Sequence, residues 1–240
     1  LPSIRRAKRT SARAYDYWMP AMLLRRTGTD LKSVFAAIHE PFDGQPVITD
    51  VSRLELEGTD SGSVGLVCKG EGFVDYHLLG SDPQSAMSAS NEPISATGRY
   101  AFIRTVAGQV TRMAVVDGEA VNFRGQNLDL PPPAGGEIVG VRSVEAGDGE
   151  NALIVSPAVG RYDPGYDGRI IVQFHNGMTY GLAVESIRRE GENSVVVLHH
   201  RPGFQLSDEG EKAVMTHHPH LTMEARPTWH LPNVLSVSIQ

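Results

Sequence analysis

Apolar and polar positions alternate at a period of two along most of this chain, and short turn-forming clusters interrupt them. That period places successive side chains on opposite faces of an extended strand. "LKSVFAAIHE" and "PVITDVSRLELEG" are β-rich segments of this kind. "GSVGLVCKGEGFVDYHLLG" predicts two strands around the turn "KGEG". "RYAFIRTVAGQVTRMAVVDGEAVNF" predicts three strands around "AGQ" and "DGE", with Tyr100, Phe102 and Ile103 among its apolar positions. Further on, "EIVGVRSVEAGDGENALIVSP" predicts a hairpin around "AGDGEN". In "GRIIVQFHNGMTYGLAVESIRREGENSVVVLHHRPGF" the "HNG" predicts a type I′ turn, because both turn residues tolerate positive φ. "REGEN" is a second hairpin turn, and "WHLPNVLSVSIQ" ends in an alternating strand. Only the first 25 residues or so are open to a helix, and Pro20 interrupts it.

Short strands at this spacing predict an all-β fold. The expectation is an antiparallel β-sandwich followed by a smaller β-sheet domain, behind a short N-terminal segment open to helix. The strongest punctuation is "LPPPAGGE", Leu130 to Glu137, where three prolines stiffen the chain and two glycines loosen it. Residues 1–130 therefore read as the larger sandwich, with 1–25 a basic lead-in continuing from an upstream domain. Residues 131–136 read as a linker and 137–240 as the smaller C-terminal β domain. No long repeat and no low-complexity tract is present.

Charge and composition narrow the function classes. The 240 residues carry a net charge of −6, which argues against a nucleic-acid binder, since phosphate binding needs a basic surface. The charge is uneven. Arg5, Arg6, Lys8, Arg9, Arg13, Arg25 and Arg26 crowd the start. Such a run is a solvated face or tail, or a surface for an acidic polymer such as a uronate polysaccharide. The single cysteine, Cys68, allows no intrachain disulfide and reads as a small core residue in "GSVGLVCKG". No apolar run approaches the roughly 20 residues of a membrane helix. The start lacks an initiator Met and an apolar signal core, so the chain reads as the middle of a longer protein.

Several constellations bear on chemistry. "HEPFDG" puts His39 beside Glu40. Adjacent residues on a strand face opposite ways, so the pair reads as a strand end and turn unless the backbone bends, as Pro41 and Gly44 allow. "THHPHLTMEARPTWH" gathers His217, His218, His220 and His230, and His218 and His220 would share a strand face. Pro219 lies between them, no thiolate is near and the spacing fits no standard zinc pattern, so no metal is assigned. His199 and His200 alternate faces. "GRYDPGYDGR" offers oxygen ligands and tyrosines but reads as a polar turn. Trp229 and Trp18 are candidate sugar platforms, with packing the alternative, and Arg25 and Arg26 are candidate carboxylate clamps. No nucleophile elbow, phosphate-binding loop or dinucleotide fingerprint is present, so neither a cofactor nor a catalytic residue is assigned.

The order "LRRTGTDLKSVFAAIHEPFDGQPVITDVSRL", "GFVDYHLLGSDP", "GRYAFIRTVAGQV", "LHHRPGF" resembles the C-terminal β-sandwich region of heparinase II/III-like polysaccharide lyases. The resemblance runs from about Arg25 to about Pro219, and "HEPF.G.P.I..V..L" is its most specific part. Such lyases join a helical toroid to β-sandwich domains and cleave acidic polysaccharides, glycosaminoglycans among them, by β-elimination. Their tyrosine and most of their histidines lie in the toroid and the first part of the β region, and no residue here matches them. The resemblance thus implies a non-catalytic β scaffold, with the chain inactive alone and its parent a lyase. It implies an acidic polysaccharide and an upstream helical domain as partners, and a secreted, periplasmic or cell-surface location. His39, Glu40, Arg25, Arg26 and Trp229 are the candidate substrate-binding residues. The rivals are a stand-alone carbohydrate-binding module, favoured by an exposed aromatic row on one sheet face, and a structural or interaction domain of a surface protein, favoured by a large apolar face.

Overall fold

The computed structural model describes residues 3–8, 18–31, 33–57, 62–160, 168–216 and 221–239, with backbone alone over 3–8 and 18–23. The chain divides between His39 and Glu40 into two units. In the first, β1 (Ser3–Lys8) pairs antiparallel with β2 (Trp18–Leu23). The N-terminal segment open to helix is therefore a strand pair. Pro20 sits in β2 opposite Arg6, which a two-stranded ribbon tolerates because each strand has a free edge. No strand forms over the described part of "LKSVFAAIHE", and regular structure resumes only at Ile48.

The second unit is β throughout; its one helical piece among the described residues is the 3₁₀ turn Val144–Ala146. Its first eight strands are β3 (Ile48–Leu54), β4 (Leu56–Glu57), β5 (Val64–Gly70), β6 (Phe73–Leu79), β7 (Ala86–Ala89), β8 (Ile94–Val106), β9 (Gln109–Phe123) and β10 (Gln126–Asp129). The barrel strands that follow are β11 (Ala134–Arg142), β12 (Ala152–Ser156), β13 (Arg169–Gln173), β14 (Thr179–Glu190) and β15 (Asn193–Leu198). Then come β16 (Phe204–Leu206), β17 (Ala213–Met215), β18 (Thr222–Met223), β19 (Thr228–Leu231) and β20 (Val234–Ser238). No helix among the described residues is long and apolar enough to cross a membrane.

The sandwich is built from one long hairpin. β8 and β9 run 13 and 15 residues, joined at Ala107 and Gly108, whose φ values of 51° and 79° give the primed turn that suits strand twist. Near the hairpin tip they belong to a layer ordered β20-β9-β8-β6-β5-β3. Beyond a bend they belong to a second layer with β10 on one side and β7 and β4 on the other. The bend is the "DGE" site, which is a bulge in one continuing strand and not a turn between two. Asp117 has φ 52°, and the register shifts between Thr97 and Gly98. Gly98 lies opposite Gly118 so closely that a Cβ on Gly98 would sit 2.7 Å from the Gly118 Cα. Only glycine permits that approach. The core between the layers holds Val67, Tyr76, Leu78, Ile103, Met113, Val121 and Phe123, with the Tyr76 and Phe123 rings 5.0 Å apart.

From Ala134 onward the chain forms a closed barrel, β11-β12-β15-β14-β13-β19, with the sheet β16-β17-β18 beside it, in the same compact unit as the sandwich. Ile138, Leu153, Val172, Phe174, Val196 and Trp229 fill its core, and Phe204 of the small sheet meets Phe174 edge-on at 5.1 Å. At "HNG" only Gly177 takes a positive φ, 85°. The Asn176 side chain accepts the Met178 N–H at 3.0 Å, an Asx turn that keeps Asn176 at negative φ. The turn is therefore not type I′.

Sandwich and barrel are knitted at the bulge. The chain enters the barrel at Ala134 and returns as β20, which pairs with β9. Asp117, 4% exposed, accepts from Arg99 Nε at 2.7 Å and bonds to His230 Nε2 on β19. Asn233 Oδ1 accepts the Gly118 N–H at 2.9 Å, while its Nδ2 donates to Gly118 O at 2.7 Å and Pro131 O at 2.6 Å.

Candidate functional site

Directly paired residues of antiparallel strands share a face. In the β20-to-β3 layer, Val67, Tyr76, Leu78, Ala101, Ile103, Met113 and Val115 point into the core. Their neighbours in sequence point outward and align in rows. One row is Cys68, Asp75, Arg104 and Arg112; the next is Leu66, His77, Phe102 and Ala114; the next is Leu79, Tyr100 and Val116. On β8 this outward set reads Tyr100, Phe102, Arg104, a period of two visible in "RYAFIRTV".

The centre of this face is an ion pair. Arg104 grips Asp75 with two parallel bonds, Nε to Oδ1 at 2.7 Å and Nη2 to Oδ2 at 2.6 Å. Its guanidinium lies 4.8 Å from the Phe73 ring centroid and 5.9 Å from that of Phe102. The hydrogen bonds to Asp75 raise the Arg104 pKa above its ordinary value, so its charge is fixed. Asp75 is only 6% exposed. Cys68 beside it is buried, and burial, reinforced by the Asp75 carboxylate, pushes its thiol pKa up. It remains a thiol, not a nucleophile.

Beside the pair, His77 Nδ1 and the Tyr100 hydroxyl are 2.9 Å apart. Burial lowers the His77 pKa, Asp75 opposes this and Arg104 adds to it. Burial, then Asp75 and Cys68, raise the Tyr100 pKa. At neutral pH the face therefore presents a neutral imidazole and a protonated phenol. Their rings, with Phe102 next to them, form a half-buried aromatic row, His77 lying 6.1 Å from Tyr100 and 5.3 Å from Phe102. Arg112 stands directly opposite Arg104 on the neighbouring strand, exposed, its Nε donating to Ser236 Oγ at 3.1 Å. Like charges opposed across strands repel. Asp75 offsets one of the two guanidiniums, which leaves an excess of positive charge in this row.

Of the residues singled out from sequence, Glu40, Trp229 and His230 are engaged elsewhere in the second unit. Glu40 is a backbone clamp: its Oε1 accepts the Val47 and Ile48 N–H groups at 2.6 and 2.9 Å, closing the turn that leads into β3. His39 is exposed and Arg25 likewise; Arg26 donates to Ser33 Oγ at 3.1 Å. Trp229, 3% exposed, sits in the barrel core with its Nε1 donating to Ser156 O at 3.1 Å, so it has no free ring face to offer a sugar. His230, the last member of the histidine-rich stretch, is held by Asp117. His217, His218 and His220, residues 161–167 of "GRYDPGYDGR", and the side chains of Trp18 and the basic residues before it lie outside the described residues. Among the described residues no three His, Cys, Asp or Glu side chains gather as a metal site.

Compared with known proteins, the chain matches no family model, no curated protein and no solved structure. The class it defines is an antiparallel β-sandwich joined to a closed β-barrel.

Proposed function

We propose that this chain is a non-catalytic β scaffold of a polysaccharide-degrading protein of the heparinase II/III-like kind, and that the outer face around Arg104 and Arg112 contacts acidic sugar. The observation that carries the reading is the opposed arginine pair beside the row Tyr100, His77, Phe102. Guanidinium groups meet uronate carboxylates or sulfates, and flat rings accept the apolar faces of pyranoses. The open Arg104 Nη1 makes no hydrogen bond within the described residues, so it is available to a ligand. The same row favours a second reading, a carbohydrate-binding module that acts alone.

The face is not arranged for β-elimination. β-Elimination needs a base at one substrate atom and an acid at another. His77 and Tyr100 are instead spent on one another and half-buried.

The test is twofold. Heparin, heparan sulfate, chondroitin, hyaluronan and alginate oligosaccharides are titrated against the chain and against Arg112→Ala. The expected result is salt-sensitive binding of at least one, weakened severalfold by the substitution. The unsaturated uronate product is then followed by ultraviolet absorbance. Turnover by the longer gene product but not by this chain supports the scaffold; binding without turnover by either supports the module. Turnover by this chain alone would make His77 and Tyr100 catalytic candidates, and no binding at all would remove both carbohydrate readings.

A further inference from the structure

The opposite layer of the sandwich carries a groove of about 410 Å³ on its outer surface, within the roughly 300–1,000 Å³ range of small-molecule sites. Its chemistry differs from that of the arginine face. Glu57, Ser88, Ser95, Asn122 and Asn127 are successive cross-strand partners over β4, β7, β8, β9 and β10. They form one unbroken polar row about 19 Å long, four inter-strand spacings at ~4.8 Å. Asp129 stands on the same face one row along, in register with Ala120, Thr97 and Ala86. The small side chains Ala86 and Ala120 leave the groove its depth.

The row is incompletely paired with itself. Asn122 Nδ2 donates to Asn127 Oδ1, and Ser88 Oγ makes only a long contact, 3.5 Å, to the Glu57 carbonyl. The side chains of Glu57, Ser95 and Asp129 make no hydrogen bond within the described residues and are exposed. Alternating hydroxyl, amide and carboxylate groups can both donate to and accept from a series of ligand hydroxyls. Among the described residues no Lys or Arg lines the groove, and two carboxylates do. An anionic sugar would meet unbalanced repulsion there, whereas a neutral one would donate its hydroxyls to those carboxylates.

We infer that this groove is a binding site for a neutral, hydroxyl-rich oligosaccharide lying across the strands.

Neutral glucan, xylan and mannan oligosaccharides, and uronate oligosaccharides for contrast, are titrated calorimetrically against the purified chain. Saturable binding of at least one neutral oligosaccharide is expected. Replacing both Asn122 and Asn127 by Ala should weaken it about tenfold, as loss of one or two net hydrogen bonds implies. Ala120→Trp should abolish it by filling the groove, and Arg112→Ala should leave it unchanged. Matched melting temperatures certify that the variants fold; should Ala120→Trp fail to fold, the exposed double substitution decides. Absence of saturable binding by every neutral oligosaccharide overturns the inference. So does neutral binding that survives the groove variants, or uronate binding that the groove variants abolish.

Discussion

In the barrel every strand has two hydrogen-bonded neighbours, whereas in the sandwich β3, β4, β10 and β20 each have one among the described residues. The two regions bury the same kinds of side chain but finish their surfaces differently. Closure fills the barrel's interior and leaves its polar residues to pair with each other outside. Arg142 bonds to Glu150 and Glu190, and Glu150 also to Arg188. The open sandwich keeps two outer faces whose groups are only partly satisfied: the arginine–aromatic face and the polar groove. Partly satisfied polar groups thus lie where closure is incomplete, and β20 and Asp117 fasten the barrel to the sandwich.

The sharpest way to break this comparison is to damage each core in turn. Phe174→Ala in the barrel and Phe123→Ala in the sandwich should each lose about 3–5 kcal/mol of stability. Because the two regions are fastened together, both variants should shift one shared transition in urea, followed by far-UV circular dichroism and tryptophan fluorescence. Two transitions, one of them unmoved, would mean that barrel and sandwich fold separately.

A smaller loss is expected at the fastening itself. Asp117→Asn keeps a residue that tolerates φ 52° but removes the charge that Arg99 and His230 share. The expected loss is roughly 1.5–3 kcal/mol, the range for hydrogen bonds to charged groups. A change below about 0.5 kcal/mol would reduce the junction to an ordinary surface contact.

The smallest effect belongs to the barrel's outer network. Hydrogen bonds from Arg188 and Arg142 hold the Glu150 carboxyl at about 2, against an ordinary 4.5. A lowered folded pKa stabilises above the unfolded value and is lost as pH falls through the folded one. Glu150→Gln should therefore cost stability above about pH 4.5, by less than about 1 kcal/mol given solvent screening, and the two proteins' melting temperatures should converge toward pH 2. A difference that grew on acidification would reverse the assignment.

Local pattern made part of this architecture legible. Alternation is legible in most of the strands, although "LKSVFAAIHE" forms none in its described part, and "AGQ" marks the central hairpin, because both signals sit within a few residues. "DGE" misled for a physical reason: the same Asp-Gly that turns a chain also accommodates a bulge, and the choice depends on Gly98, a residue across the sheet. The N-terminal segment reads as open to helix because the pairing of its two halves, β1 with β2, is not written in either half alone. The arginine face is not legible in the sequence because His77 and Tyr100 are 23 residues apart and meet only through the β6–β8 register. Half of it was present in the alternation Tyr100, Phe102, Arg104, which registered only as a strand. The histidines drew attention to metal, while the histidine that the fold employs at its junction, His230, finds its carboxylate 113 residues away.

The hairpin of β8 and β9 gives the chain a timetable for folding. Its two strands meet through a two-residue turn, so the spine of both sandwich layers can zip locally, an event on the scale of about 1–10 μs for a hairpin. β20 must find β9 across a long separation, Val234 pairing with Val116, and the whole barrel lies in between. Long-range pairing of this kind slows folding because closure entropy is spent before the contact rewards it. The first layer of the sandwich is thus begun early and completed late, after the barrel has carried the C-terminal strand back to it.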